Sequence, residues 1–453
     1  MTPKHPASMD QKIHDWLTTN LGHVESLDRQ ARWRPGWDAV VNRDGERLSL
    51  YVRGPKGETT YFSPVDMYQE YAIHQAFQAN GIPAPRVYGM MDDPVAIVME
   101  KLPGRINTGA IEDSQRQQRV RDAFIDIVAK VHRLPLSAFH EVGLAVPSTP
   151  EEIALSLYAP AEAIFERLMG ERPFPIMRFI AQWLRRNVPQ DRTRATFVNF
   201  DAGQFLYEDD RVTGLIDFEV SSFGDPAAEL SGLRLRDAAE PLGDLSAMID
   251  RYEMLTGDRI SKQLLEYHSA GFCGVNGFLM WGLAYDTTLD QDYIAYMHYS
   301  VATTRWAIKA IAEHMGLTLT EPEEPMFRPL GFSRAGKHLV EQIRAMPDGT
   351  PVEDYARDSA AALARYMSRC NDYGQDILAR DLAEASALVG HRLDDKDEAQ
   401  AAVQAYVRTA SPQEDGRLAQ HFHNWLRRQE FLLRDCGQAS FLVGVDLQPI
   451  PPR

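Results

Sequence analysis

The segment TFVNFDAGQFLYEDDRVTGLIDFE, residues 196–219, places Asn199, Asp201, Gln204 and Asp217 around two short β-rich runs. The apolar run VTGLI ends in Asp217, and a strand end that opens into a cleft suits a metal-binding acid. Gln204 lies thirteen residues earlier. Antiparallel pairing through a turn at Asp209-Asp210 would bring Gln204 and Asp217 to the same end of one hairpin. A carboxylate and an amide oxygen are hard donors suited to Mg²⁺, which takes few protein ligands and fills its shell with substrate phosphates. Taken alone, the segment reads equally as a surface hairpin with polar ends.

The elements around it sharpen that choice. Residues 10–22, DQKIHDWLTTNLG, carry helical spacing and a closing Gly. WDAVVNRDGERLSLYVRG has Asp-Gly between two β-rich runs, which is a hairpin signal. Arg53 ends the second run, and Glu70 falls in the next helical stretch, 65–81. A cation on a strand with an acid on the neighbouring helix can pair to position nucleotide phosphates. Taken one by one, they also read as surface charges. After 82–104, which reads as two strands and a turn, helical patterns dominate: 121–134, 151–169, 174–187, 244–256, 261–284 and 291–315. Gly224-Asp225-Pro226 reads as a turn in which Asp225 caps the following helix. TLTEPEEPMFRPLG (318–331) reads as a linker, and helical runs follow at 333–345, 353–370, 374–391, 397–409 and 413–435.

This order is similar to the aminoglycoside phosphotransferase and choline kinase-like family: a strand-rich lobe, IVMEKLPGR, AKVHRLP, then DAGQFLYEDDRVTGLIDFE and GDPAAEL. The nearest likeness is to phosphotransferase modules associated with acyl-CoA dehydrogenases, and it covers roughly residues 20–315. It implies an α+β, protein kinase-like two-lobed fold with a small antiparallel β lobe and a mostly helical lobe. The implied domains are a nucleotide-binding lobe (1–101), a helical lobe carrying the hairpin (102–320), and an all-helical domain outside the resemblance (332–453).

The resemblance also implies roles. Asp217 matches a Mg²⁺-binding acid, and Gln204 falls where the family has a metal-binding Asn. Arg53 takes the place of a phosphate-contacting Lys, with Glu70 as its partner. Glu100 to Leu102 would offer hinge backbone groups to the adenine of ATP, with Met99 behind them. His132 resembles a recurring helix-end histidine suited to packing or hydrogen bonding. The phosphate-covering loop falls on RWRPGWDA (32–39), whose one glycine is Gly36. The catalytic loop departs most from the family's His-Gly-Asp, four residues, Asn. An ungapped match from Gln204 puts Asn199 at the catalytic aspartate and Phe197 at the histidine. A match two residues shorter puts Asp201 there, a displacement of roughly 6–7 Å of extended chain that a loop curled at Gly203 can absorb in part. Asn199 in place of the base implies a slow kinase or a nucleotide-binding pseudoenzyme; Asp201 implies a working one; or another group does the positioning.

Composition bounds the partners. The chain has 453 residues, enough for two or three domains, with Lys+Arg 48 against Asp+Glu 64 and a net charge of −16. Without a Lys/Arg stripe, such a surface repels nucleic acid and anionic membrane, although a buried cationic site can still take a phosphate ligand. Three scattered cysteines suit a reducing compartment and no disulfide framework. No run of 18 apolar residues occurs, so a cytoplasmic protein is expected. The acceptor is a small-molecule hydroxyl: a cationic one on charge, an apolar or hydroxyacyl alcohol on the kinship and on the apolar stretch 271–285. A competing reading is a regulatory binding protein that keeps the fold and uses 332–453 for a protein partner or homo-oligomer. The His-x-His of HFHNW (421–425) diverges on a helix and reads as core, as does WRPGW, where Trp33 and Trp37 serve as anchors or a stacking platform.

Overall fold

The computed structural model describes residues 8–30, 34–55, 64–288, 292–451 and 453; Trp33 and part of the expected phosphate loop lie outside them. Helix α1 (Met9–Asn20) is capped by Ser8, whose side chain accepts from the Gln11 N–H. Asp10 sits in its first turn and accepts from Trp37 Nε1. Strands β1 (His23–Arg29), β2 (Gly36–Arg43) and β3 (Glu46–Arg53) form a meander. The β2–β3 turn is Asp44-Gly45, both at positive φ, 56° and 92°, a conformation that favours Asn, Asp and Gly. Helix α2 (Met67–Ala79) starts with a reciprocal capping box between Asp66 and Gln69. Strands β4 (Val87–Asp92) and β5 (Val95–Glu100) complete a five-stranded antiparallel sheet, ordered β1-β2-β3-β5-β4. Alternate residues on its inner face, Trp37, Ala39 and Val41 of β2 with Leu48, Leu50 and Val52 of β3, pack on Ile13 and Leu17 of α1.

Helices α3 (Ser114–Val131), α4 (Pro150–Ala154), α5 (Tyr158–Met169) and α6 (Pro175–Arg186) follow. Four short strands then interrupt them: β6 (Thr196–Asn199), β7 (Phe205–Glu208), β8 (Arg211–Leu215) and β9 (Ser221–Gly224). β6 pairs with β9, and β7 pairs with β8. The rest is helical: α7 (Pro226–Ala239), α8 (Leu245–Thr256), α9 (Lys262–Tyr285), α10 (Tyr293–His314), α11 (Ser333–Arg344), α12 (Pro351–Val389), α13 (Lys396–Thr409) and α14 (Asp415–Leu433). This is the protein kinase-like α+β class expected from the sequence. Among the described residues no helix is long and apolar enough to cross a membrane.

The chain packs as two compact units. One comprises Met1–Val146, Thr196–Phe223 and Ala247–Asp258; the other comprises Pro147–Ala195, Gly224–Ser246 and Arg259–Arg453. In the second unit, 332–453 packs together with the helices before it. Arg186 of α6 reaches Asp415 of α14 at 2.6 Å, and Arg305 of α10 lies 3.3 Å from Glu430. The 318–331 stretch has no regular structure, and its backbone is tied to α12: the Met326 N–H donates to Asp376 and the Arg328 N–H to the Asp372 carbonyl. The expected helices 353–370 and 374–391 are one 39-residue helix, α12, running through Gly374.

The glycines of α9 make close helix packing. A Cβ on Gly271 would lie 2.2 Å from Tyr158 Cζ of α5, and one on Gly277 would lie 2.9 Å from Thr304 Oγ1 of α10. Gly271→Ala should therefore destabilise the fold by about 1–3 kcal/mol of overpacking, less about 1 kcal/mol regained in helix propensity. A chemical melt with unchanged m-value checks it; a neutral or stabilising result would show that α5 yields freely. At these two glycines the 271–285 stretch makes the close helix approach that small residues allow. His423 of HFHNW is buried, with Nε2 3.2 Å from Glu321.

Candidate active site

The hairpin does what its spacing predicts. Phe205 pairs with Leu215 across β7–β8, and the Ile216 N–H donates to the Gln204 carbonyl at 3.1 Å, so Gln204 and Asp217 lie at the same end. Asp217 sits at φ 64°, a left-handed conformation that costs a non-glycine residue about 1–2 kcal/mol and aims its side chain away from the strand's regular alternation. Beneath it is a floor of rings. Phe218 meets Phe77 edge-on at 4.9 Å, and Phe197 stacks on Phe139 at 4.6 Å. Phe197, the histidine equivalent in the ungapped match, is thus a core residue.

The two candidate acid positions differ in kind. Asn199 ends β6 and is 8% exposed. Its Nδ2 donates to the Asp217 carbonyl at 3.2 Å, and its Oδ1 accepts from the Asp201 N–H at 3.1 Å. Asp201 lies two residues beyond the strand in the loop that turns at Gly203, φ 78°. Its half-buried carboxylate accepts from Gln204 Nε2 at 3.0 Å. Asn199 therefore works as a brace between the two backbones, and Asp201 presents the carboxylate.

Among the described residues, four charged side chains gather beside Asp217. Arg53 at the end of β3 places Nε 2.9 Å from Glu70 Oε1 and Nη2 2.5 Å from Asp217 Oδ1. The expected Arg53–Glu70 pair is present, with the metal-site acid drawn into it. Arg34 and Glu219, absent from the expected site, join the cluster: Arg34 Nη1 donates to Glu219 Oε2 at 2.6 Å, and Arg53 Nη2 lies 3.3 Å from the same oxygen. Glu70 is wholly buried, and neither of its oxygens has a well-aligned hydrogen bond among the described residues, so its partnership with Arg53 is ionic. Burial lowers the Arg53 pKa, but Glu70, Asp217 and Glu219 outweigh it and raise the pKa overall. Arg34 is held below its ordinary value by burial and then by Arg53. His74 is pushed down to about 3, by burial first and by Arg53 second, and so stays neutral and is no base at physiological pH.

The surroundings of the other expected residues are as follows. Met99 is 4% exposed and pairs with Tyr51, behind the strand edge as expected. The Glu100 N–H is already donated to the Arg86 carbonyl and the Lys101 N–H to the Ser49 carbonyl. Among the described residues the hinge donor left for an adenine is therefore the Leu102 N–H. Gly36 is not in the turn of the phosphate loop. It opens β2 opposite Arg53, and a Cβ there would lie 2.6 Å from Tyr51 Oη, so the glycine makes room for a tyrosine. His132 is wholly buried, with Nδ1 3.0 Å from Tyr252 Oη, a packing and hydrogen-bonding residue.

Residues 34–261, half of the 453-residue chain, match the family model APH, phosphotransferase enzyme family. The chain belongs to this family. No curated protein matches it. Among solved structures, an aminoglycoside phosphotransferase-type protein from Ralstonia eutropha JMP134 is similar at 16% identity and a TM-score of 0.52, over 68% of this chain and 98% of that one. Choline kinase LicA from Streptococcus pneumoniae is similar at 15% and 0.49, over 68% and 100%. A thermostable aminoglycoside phosphotransferase APH(4)-Ia, in complex with ADP and hygromycin B, is similar at 13% and 0.47, over 68% and 100%.

For this phosphotransferase family member, the donor set fits a magnesium-bound nucleotide. Among the described residues no group of three or more His, Cys, Asp or Glu could hold a metal by itself. A cation at Asp217 would thus rely on the Gln204 amide and on phosphate oxygens, as Mg²⁺ characteristically does. The Asp217 side chain is a quarter exposed, enough for it to be reached.

Proposed function

We propose that this family member is an ATP- and Mg²⁺-dependent phosphotransferase acting on the hydroxyl of a small molecule, with Asp201 as its acid–base residue. The observation that carries the reading is the brace: the Asn199 amide is engaged on both sides, and it fixes the backbone of Asp201 beside that of Asp217. The Asp201 carboxylate takes the proton of the acceptor hydroxyl as its oxygen bonds to the γ-phosphorus and the bond to ADP breaks. Arg53, held by Glu70, opposes phosphate charge with a planar fork that can grip two oxygens where an ammonium would grip as a point. Gln204 and Asp217 would hold Mg²⁺, which neutralises phosphate charge when bound. An ATP-dependent role suits a cytoplasmic protein, and residues 332–453 offer helical surface for a protein partner or a second copy.

One contact favours a second reading, nucleotide binding without turnover. Arg53 rests on Asp217 at 2.5 Å, so a metal must compete with an arginine for that acid. Calorimetry with ATP, with and without Mg²⁺, followed by ATP-consumption assays over cationic, apolar and hydroxyacyl alcohols, separates the two. Micromolar-to-millimolar Mg-ATP binding with acceptor-dependent consumption is expected. Binding with no consumption across the panel would leave the second reading, and no binding at all would remove both.

A further inference from the structure

We propose that Arg34 is a positioning residue of the nucleotide site, which decides where Arg53 rests. The inference deepens the phosphotransferase reading and rests on it. Arg34 is 1% exposed and ties four separated parts of the chain together. Its Nε donates to the Gly54 carbonyl at 3.1 Å, its Nη1 to Glu219 at 2.6 Å and its Nη2 to Met67 Sδ at 2.7 Å; Nη2 also lies 3.7 Å from Glu70. Gly54 follows the residue that carries the phosphate-facing guanidinium, and Met67 opens the helix that carries its partner acid.

The charge arithmetic explains why a second buried arginine is needed. Among the described residues, Glu70, Asp217 and Glu219 supply three negative charges beside Arg34 and Arg53, which supply two positive ones. The two guanidiniums contact the same oxygen, Glu219 Oε2, Arg34 at 2.6 Å and Arg53 at 3.3 Å. Arg34 thus makes the shorter bond to Glu219 and by like-charge repulsion keeps the Arg53 hydrogen bond to that oxygen long, so the closer contacts of Arg53 are those with Glu70 and Asp217. Without Arg34, Glu219 loses its nearer guanidinium in a buried setting where charge interactions are strong. Arg53 is then drawn towards Glu219, away from the position where it meets phosphate.

The test uses the full chain and reads nucleotide affinity rather than turnover. Mg-ATP dissociation constants are measured by calorimetry for the wild type, Arg34→Met, Glu219→Gln and the double variant, with thermal melts in the absence of nucleotide. Arg34→Met is expected to weaken Mg-ATP about tenfold or more, while the double variant, with the competing acid also gone, returns to within about threefold of wild type. Arg34→Lys, which keeps the charge but loses the fork, should fall between them. A residue that merely supports the fold would lower the melting temperature without this recovery. Wild-type affinity in a folded Arg34→Met, or a double variant no better than the single, overturns the proposal. Should Arg34→Met fail to fold, the double variant carries the comparison, and a tenfold loss there overturns it as well. Absence of Mg-ATP binding by the wild type overturns the phosphotransferase reading itself and the proposal with it, an outcome distinct from the others.

Discussion

Asp201→Ala should lower kcat by about 10²–10⁴-fold, the usual contribution of a positioned general base, while Mg-ATP affinity stays within about threefold of wild type. The separation follows from the geometry. Asp201 contacts Gln204 and Asn199, whereas the ion pairs of Arg53 run to Glu70, Asp217 and Glu219. Asn199→Ala is a different lesion. It removes the link from the Asp201 N–H to the Asp217 carbonyl, so the rate should fall through misplacement, with the pH profile of the residual activity unchanged. Asn199→Asp should not raise the rate. It buries a new charge beside a carbonyl oxygen, which repels it, and stability should drop by about 1–3 kcal/mol. Single-turnover assays with Mg-ATP and the best acceptor of the panel decide the matter. If Asp201→Ala keeps full turnover, or if Asn199→Asp gains it, the acid belongs to the Asn199 position and the loop is read wrongly.

How far the site is legible in the sequence depends on the range over which its causes act. The β2–β3 hairpin is announced by Asp44-Gly45, because two positive φ values in succession exclude most other residues. The α2 boundary is set by Asp66 and Gln69, three residues apart, and the β7–β8 hairpin by the Asp209-Asp210 turn and the apolar run that ends in Asp217. All these causes are local. Arg34 and Glu219 are 185 residues apart, and nothing in either neighbourhood says that they meet. Their one signal is that Glu219 follows Asp217 at the two-residue interval of an extended chain, so both acids can face one partner. Which of Asn199 and Asp201 stands last in a strand is a boundary that pattern reading fixes poorly, and in the structure it is Asn199. The gap expected between 370 and 374 misleads in the opposite sense. α12 runs through it and on through Gly374, because neighbouring helices hold a long helix together at a cost of about 1 kcal/mol for the glycine.

The largest effect on stability is expected at Asp225, which is fully buried at the N-terminus of α7. Its Oδ1 accepts from the Ala227 N–H at 2.9 Å, its two oxygens take a two-pronged grip from Arg192 at 2.9 Å each, and His268 Nε2 lies 3.3 Å from Oδ2. Tyr158 Oη in turn stands 3.0 Å from His268 Nδ1. Burial alone would raise the carboxyl pKa, but the hydrogen bond and charge of His268, then those of Arg192, outweigh it and hold the group well below the usual carboxylate range. Asp225→Ala leaves the Arg192 guanidinium without its carboxylate and uncaps the helix, so a loss of about 3–5 kcal/mol is expected. Asp225→Asn keeps the cap and should lose less. The pH dependence has a definite sign. A depressed folded pKa makes the contribution fully present above the unfolded carboxyl value near 3.9, and it declines as pH falls through that value towards the folded one. Denaturant melts of wild type and Asp225→Asn between about pH 7 and pH 3 should therefore show a gap that begins to narrow below about pH 4 and is still open at pH 3. A gap that stays constant to pH 3 would place the stabilisation in packing around α7 rather than in the charge of Asp225.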